Sequence, residues 1–328
     1  MLAKSGEPGL PIDLLVTQSH YVFVKAKVLT SEISNGVRVA VLLKADWMDR
    51  AKQNAAVDKL NHTLRMVGYP EEFLRNWTIL DQLYAKIELK RTFTETLRTI
   101  DQSNSWINLQ KLLIRTRNNP YYPTDLTSAN AEMIRYRNYD LVIPAAYLQP
   151  PILYAGNLDI VNYARLGASI GHEFIHGFDI FGKDVGKVGK PLSWRTNVTQ
   201  SNYNARKYTL VDLYNSFSSP INSVDGQRTL NENIADNGGI RAAYLAFHNF
   251  MSRTGYRIKL PGLEEMNEDQ LFWLVAAQKS CTRHPKLADP EHAPLRFRVL
   301  GTLMNNPDFG SAYNCPLGSP MNPWIKAW

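Results

Sequence analysis

Apolar residues recur at helical spacing through most of the chain. From Asn157 to about Phe178 nearly every position is apolar or small, which predicts a buried helix. A second helix is predicted from Leu230 to Ser252, with Ile234, Ala243, Tyr244, Phe247 and Phe250 on one side, and a third from Glu268 to about Lys279. Earlier, Met48, Ala51, Ala55, Leu60 and Leu64 set a helix from about Trp47 to Val67, stopped by Gly68-Tyr69-Pro70. A broken helical region from about Glu71 to Arg117 ends at Asn118-Asn119-Pro120. Strand signals are fewer. Tyr21 to Leu29 alternates over a short stretch and reads as a strand, within an otherwise ambiguous first 45 residues. Residues 119–155 read as extended and turn-rich. Leu141-Val142-Ile143 is a buried strand ended by Pro144, and Pro150-Pro151 excludes a helix there. The last forty residues, rich in Pro, Gly and Asn, read as loops with short helices. The expectation is a mainly α-helical fold with a small β-sheet near residues 125–147.

Composition narrows the class. With 328 residues, 44% apolar and 20% charged, the chain is long enough for a substantial core and too apolar for disorder. The net charge is +7, but its lysines and arginines are dispersed, with no run longer than Lys90-Arg91. That reads as a solvated basic surface and argues against a nucleic-acid partner. No apolar stretch reaches 18 residues, so no membrane-spanning segment is expected. Pro8, Pro11 and Asp13 interrupt any signal-peptide core. The two cysteines, Cys281 and Cys315, allow either one bridge or two free thiols. Sequons at Asn61, Asn76 and Asn197 lean toward a secreted glycoprotein.

The chemistry concentrates in Gly171-His172-Glu173-Phe174-Ile175-His176-Gly177. Residues four apart on a helix share one face, so His172 and His176 can bind one Zn2+ through neutral imidazoles. Glu173 lies beside them, within reach of a water in an open coordination position, as in metalloprotease use of His-Glu-x-x-His. Two histidines and a glutamate on so apolar a helix (Ala168, Ile170, Phe174, Ile175) need polar partners. A candidate third ligand is Glu232, in Asn231-Glu232-Asn233-Ile234-Ala235-Asp236-Asn237-Gly238-Gly239. Asp236, four residues on, is placed to accept the outer N–H of a metal-binding histidine. An acidic pair also suits a helix N-terminus with no metal at all.

With both motifs in order, the chain resembles the neprilysin and endothelin-converting-enzyme family of zinc endopeptidases. The resemblance covers roughly residues 45–328. It includes Trp47-Met48-Asp49, Gly68-Tyr69-Pro70, Leu148-Gln149-Pro150-Pro151, His176-Gly177-Phe178-Asp179, Arg298-Val299-Leu300-Gly301 and Met321-Asn322-Pro323. It implies a thermolysin-like (gluzincin) catalytic domain over 119–328, with 1–118 a helical remnant of the family's interlobe region. It implies one Zn2+ held by His172, His176 and Glu232, with Glu173 as general base. His292 is implied as the donor to a tetrahedral oxyanion, Arg298 as the grip on a substrate carbonyl, and Asn130-Ala131 as a clamp on the peptide backbone. By itself His292 reads as a surface-loop histidine. Oligopeptides are the implied substrates, and the cell exterior or surface the implied location.

Some features depart from the family. Its ectodomain is about twice as long, and the front lobe that closes over the site has no counterpart here. Cys281 and Cys315 match positions whose partners lie in that lobe, which implies unpaired thiols. A family bridge between the region of Thr209 and the tail near Ala327 is absent. Glu132-Met133 follows Asn130-Ala131 where the family carries a tyrosine. The pocket for the side chain after the scissile bond maps to Ile152, Ala168, Ser169, Lys279 and Ser280, where the family is large and apolar. The main expectation is an active zinc endopeptidase. The alternative is a weak or inactive relative that binds peptides or regulates.

Overall fold

Helices dominate because apolar side chains recur every three or four positions over long stretches. The computed structural model describes residues 12–69, 77–113, 127–134, 139–154, 156, 158–186, 197–219, 222–281 and 290–324. In chain order these form α1 (Ile12–Gly36), α2 (Arg50–His62), β1 (Arg65–Gly68), α3 (Trp77–Tyr84) and α4 (Phe93–Leu113). There follow β2 (Glu132–Ile134), β3 (Asp140–Pro144), α5 (Asp159–Asn162), α6 (Ala168–His176) and α7 (Asn197–Asn215). A short hairpin, β4 (Ser218–Ser219) with β5 (Asn222–Ser223), leads to α8 (Leu230–Thr254), α9 (Glu268–Gln278), α10 (Leu295–Met304) and α11 (Pro307–Ala312). Local chemistry sets several ends. The Asp49 side chain accepts from Lys52 N at 3.0 Å and caps α2. Asn267 and Gln270 form a reciprocal capping box on α9. Gly255, at φ 69°, ends α8 in the left-handed conformation.

The sheet has the order β1-β3-β2. β2 runs antiparallel to β3, pairing Glu132 with Val142. β1 runs parallel to β3, pairing Arg65 with Leu141 and Val67 with Ile143. The third strand therefore comes from outside the expected 125–147 region. The helix expected to reach Val67 stops at His62, where Thr63 turns extended, and Met66 and Val67 are buried in the sheet instead.

The strand expected at Tyr21–Leu29 is part of α1. Ala26, Leu29, Thr30 and Ile33 are buried while Val24 and Val28 are exposed, a helical period that a nine-residue window obscured. The helix expected over Asn157–Phe178 is present but includes a π-helical turn at Tyr163–Gly167, joining α5 to α6. The expected domain boundary at 118/119 lies outside the described residues. On its two sides, Ile33, Leu60 and Val67 share one apolar core with Leu141, Ile170, Phe247 and Trp273. Cys281 is exposed and Cys315 half-buried, and both are free thiols.

The crossing of α6 over α8 positions the site. A Cβ at Gly171 would lie 2.5 Å from Gly239 O, and one at Gly239 would lie 2.3 Å from His172 N. The two backbones meet with no side chain between them, which only glycine permits. Behind this pair, α1 lies on α8, with Gly36 against the Ala242 carbonyl.

Candidate active site

The close approach of α6 and α8 brings His172, Glu173 and His176 on one helix against Glu232 and Asp236 on the other. Glu232 Oε2 lies 3.1 Å from His172 Nε2 and 3.6 Å from His176 Nε2, and the two Nε2 atoms are 3.1 Å apart. Ligand atoms about 2.05 Å from a tetrahedral metal stand about 3.3 Å from one another. The three atoms therefore have the spacing of one face of such a tetrahedron. Glu232 Oε2 is buried and, among the described residues, receives no hydrogen bond of good geometry. A buried carboxylate oxygen facing imidazole nitrogens needs a cation.

Each histidine is fixed from behind. His172 Nδ1 donates to Asp236 Oδ1 at 2.8 Å, and His176 Nδ1 donates to Asp179 Oδ2 at 3.0 Å. With both Nδ1 atoms as donors, the Nε2 lone pairs face the centre. Asp179 is fully buried and its other oxygen accepts from Phe181 N (2.8 Å) and Gly182 N (2.7 Å). Asp236 takes a two-point contact from Arg298 on α10, Nε to Oδ2 at 2.6 Å and Nη2 to Oδ1 at 2.7 Å. Burial opposes ionisation of Asp236, but Arg298 and His172 outweigh it and hold its pKa below the usual carboxylate range. Burial likewise pushes Glu232 up, but the close imidazoles of His172, His176 and His292 bring it well below its ordinary value. Glu173 goes the other way. Burial raises its pKa, and neither the nearby histidines nor the Met133 backbone N–H cancels the rise.

His292 Nε2 lies 2.9 Å from Glu232 Oε2. His172, Glu232 and His292 are thus also close enough to share an ion. His176 is the better third partner, because it is buried and braced by Asp179, whereas the His292 side chain is about one-third exposed. These groups line a cleft of about 490 Å³. Asn130 (exposed) and Ala131 (buried) line it too, just before β2, one of the two edge strands. The structure thus brings together all nine residues singled out from the sequence. Of the mapped pocket residues, Ala168, Ser169, Lys279 and Ser280 line the cleft, while Ile152 packs against the core.

Two contributors were not singled out from the sequence. Asp179 lies in His176-Gly177-Phe178-Asp179, and its spacing of three from His176 was the available signal. Lys59 carried none. Its buried Nζ donates to the Gly177 and Gly182 carbonyls at 2.5 and 2.8 Å and pins the loop that carries Asp179.

The family model for peptidase family M13 matches residues 135–327. The chain belongs to peptidase family M13. This M13 chain is 34% identical over 335 residues to human neprilysin, covering 99% of this chain and 42% of that protein. It is 34% identical over 315 residues to an endothelin-converting enzyme homolog of Locusta migratoria, covering 92% and 42%. The chain therefore spans less than half the length of these relatives. Among solved structures it resembles the zinc metalloprotease of Mycobacterium tuberculosis in complex with an inhibitor. That match has a TM-score of 0.75 and 26% identity, covering 92% of this chain and 46% of that one. A Haemonchus galactose-containing glycoprotein complex shares the fold at TM-score 0.79 and 23% identity, covering 93% and 49%. The mostly helical architecture with its small sheet is the thermolysin-like fold, shared with these solved structures.

Proposed function

We propose that this M13 chain carries the catalytic site of a zinc-dependent endopeptidase acting on oligopeptides. The convergence of His172 Nε2, His176 Nε2 and Glu232 Oε2, with Glu173 beside them, supports this reading. Two neutral imidazoles and a carboxylate around an open position suit one zinc ion per chain. Zinc bound there supplies Lewis acidity, acidifying a water and polarising a substrate carbonyl.

The chain's own groups do the rest. Glu173, its pKa raised by burial, takes a proton from the attacking water and returns it to the leaving amine. Asp236 and Asp179 hold the two imidazoles in the ligating tautomer and orientation. Arg298 braces Asp236 through Nε and Nη2, which leaves Nη1 for a substrate carbonyl. His292, which lines the cleft, donates to the oxygen on which charge develops. Asn130 and Ala131 hold the peptide backbone beside β2, so that the substrate extends the sheet edge.

We place the enzyme outside the cell or at its surface, supported by the sequons, of which Asn61 is exposed at the end of α2. Among the described residues no helix is long and apolar enough to cross a membrane.

The test is zinc content and peptidase activity measured together on wild type and Glu173→Gln. Stoichiometric zinc in both, with cleavage only by wild type, is expected. Zinc in both with cleavage by neither would replace catalysis with peptide binding. Absence of zinc would overturn the reading.

A further inference from the structure

Beside the metal-binding face, the cleft carries a cation that the hydrolytic chemistry does not use. Lys279 follows the end of α9, and its Nζ donates to Ser169 Oγ at 2.6 Å. Ser169 is buried on α6 three residues before His172. Side chains three apart on a helix are neighbours, with Cβ atoms about 5–6 Å apart. The Lys279 ammonium therefore stands roughly one helical turn from the histidines.

The Ser169 hydroxyl is fully used. It accepts from Lys279 and from the Tyr147 hydroxyl at 2.9 Å, and it donates to Arg165 O at 3.0 Å. Ser169, itself fixed by Tyr147 and the Arg165 carbonyl, thus holds the amine in place and offers it no counter-charge. The cleft has one other cationic side chain among its described lining, Arg298, and that one is paired with Asp236. Glu173, Glu232 and Asp236 belong to the metal end, while Glu132 and Glu291 also line the cleft. Lys279 has no carboxylate within salt-bridge distance among the described residues, and two of its three N–H groups lack a described partner.

We propose that Lys279 is a specificity-determining residue: it binds a substrate carboxylate next to the scissile bond. That carboxylate belongs either to a Glu or Asp side chain or to the peptide's own C-terminus. A neutral apolar side chain at this place would strip water from the ammonium and return nothing, whereas a carboxylate accepts two N–H bonds with charge. The inference rests on the peptidase reading and names its substrate class.

The experiment separates binding from turnover by using zinc-loaded Glu173→Gln protein. Three peptides of one length are titrated. One has a Glu side chain and an amidated C-terminus, one has Gln and a free C-terminus, and one has Gln and an amide. At least tenfold tighter binding of one carboxylate peptide over the neutral one is expected, and which of the two binds identifies the source. The preference should disappear in Glu173→Gln/Lys279→Met, with the neutral peptide bound as before. In Glu173→Gln/Lys279→Glu it should turn toward a Lys-containing peptide. Equal affinity for all three peptides, or a preference that survives Lys279→Met, overturns the subsite and leaves the peptidase reading standing. Failure to bind any peptide overturns both.

Discussion

Gly239→Ala tests whether the backbone contact between α6 and α8 sets the site. The new Cβ would meet His172 N at 2.3 Å, and Gly171 C and His172 Cα at 2.8 Å. Non-bonded carbon atoms prefer about 3.5–4.0 Å. Every atom in the way is backbone, so no rotamer change relieves the clash, and the helices must separate by about 1 Å. Overpacking of this kind costs about 1–3 kcal/mol. Alanine returns close to 1 kcal/mol through its better helix propensity, so a net loss of about 1 kcal/mol, and at most about 2 kcal/mol, is expected. The effect on metal is larger. His172 Nε2 and Glu232 Oε2, now 3.1 Å apart, would move to about 4 Å, while metal–ligand distances tolerate only about 0.2 Å. A fall in zinc affinity of tenfold or more follows. The assays are urea unfolding of metal-free protein and zinc competition against a chromophoric chelator. Gly156→Ala is the control, since a Cβ there meets nothing within 4 Å. Wild-type zinc affinity and urea midpoint in Gly239→Ala would refute the argument.

Other consequences are open to measurement. His292→Ala should keep its zinc and lose about 10²–10³ in kcat, because one donor to the developing charge is gone; loss of zinc instead would make His292 a ligand. Arg298→Met should cost about 3 kcal/mol in unfolding experiments, since it leaves Asp236 a buried charge with one partner fewer. Burial lowers the Lys59 pKa from 10.5 to about 7, against the pull of Asp179 and Asp184. Between those values the unfolded chain binds the extra proton, so this group makes stability rise with pH from about 7 toward 10.5, by at most about 1.4 kcal/mol per unit. Urea midpoints of wild type and Lys59→Met from pH 6 to 10 should show the rise in wild type alone.

The sequence was most informative where one short segment contains the whole instruction. His172 and His176 share a turn, and Glu232 and Asp236 repeat that spacing, so each half of the site could be read locally. The long apolar periods of α8 and α9 were legible for the same reason. What escaped was set by tertiary partners. Residues 65–68 form a strand because β3 is there to pair with them, a fact the local pattern does not contain. α1 looked like a strand because its buried residues, Ala26, Leu29 and Ile33, were sampled over too short a window. Lys59 looked like a surface lysine, since nothing nearby in sequence announces two carbonyls lying 118 and 123 residues further on.

That same separation governs how the site is gained and lost. His172 meets Asp236 across 64 residues, and Asp236 meets Arg298 across 62. Closing a flexible loop of that size costs about 4 kcal/mol of chain entropy before any contact returns it. The helices, by contrast, are held by bonds between near neighbours. A partly unfolded molecule can keep much of its circular-dichroism signal while its three ligand atoms no longer meet. Helicity will therefore overstate the competent fraction during refolding or storage, and metal retention will be the stricter gauge.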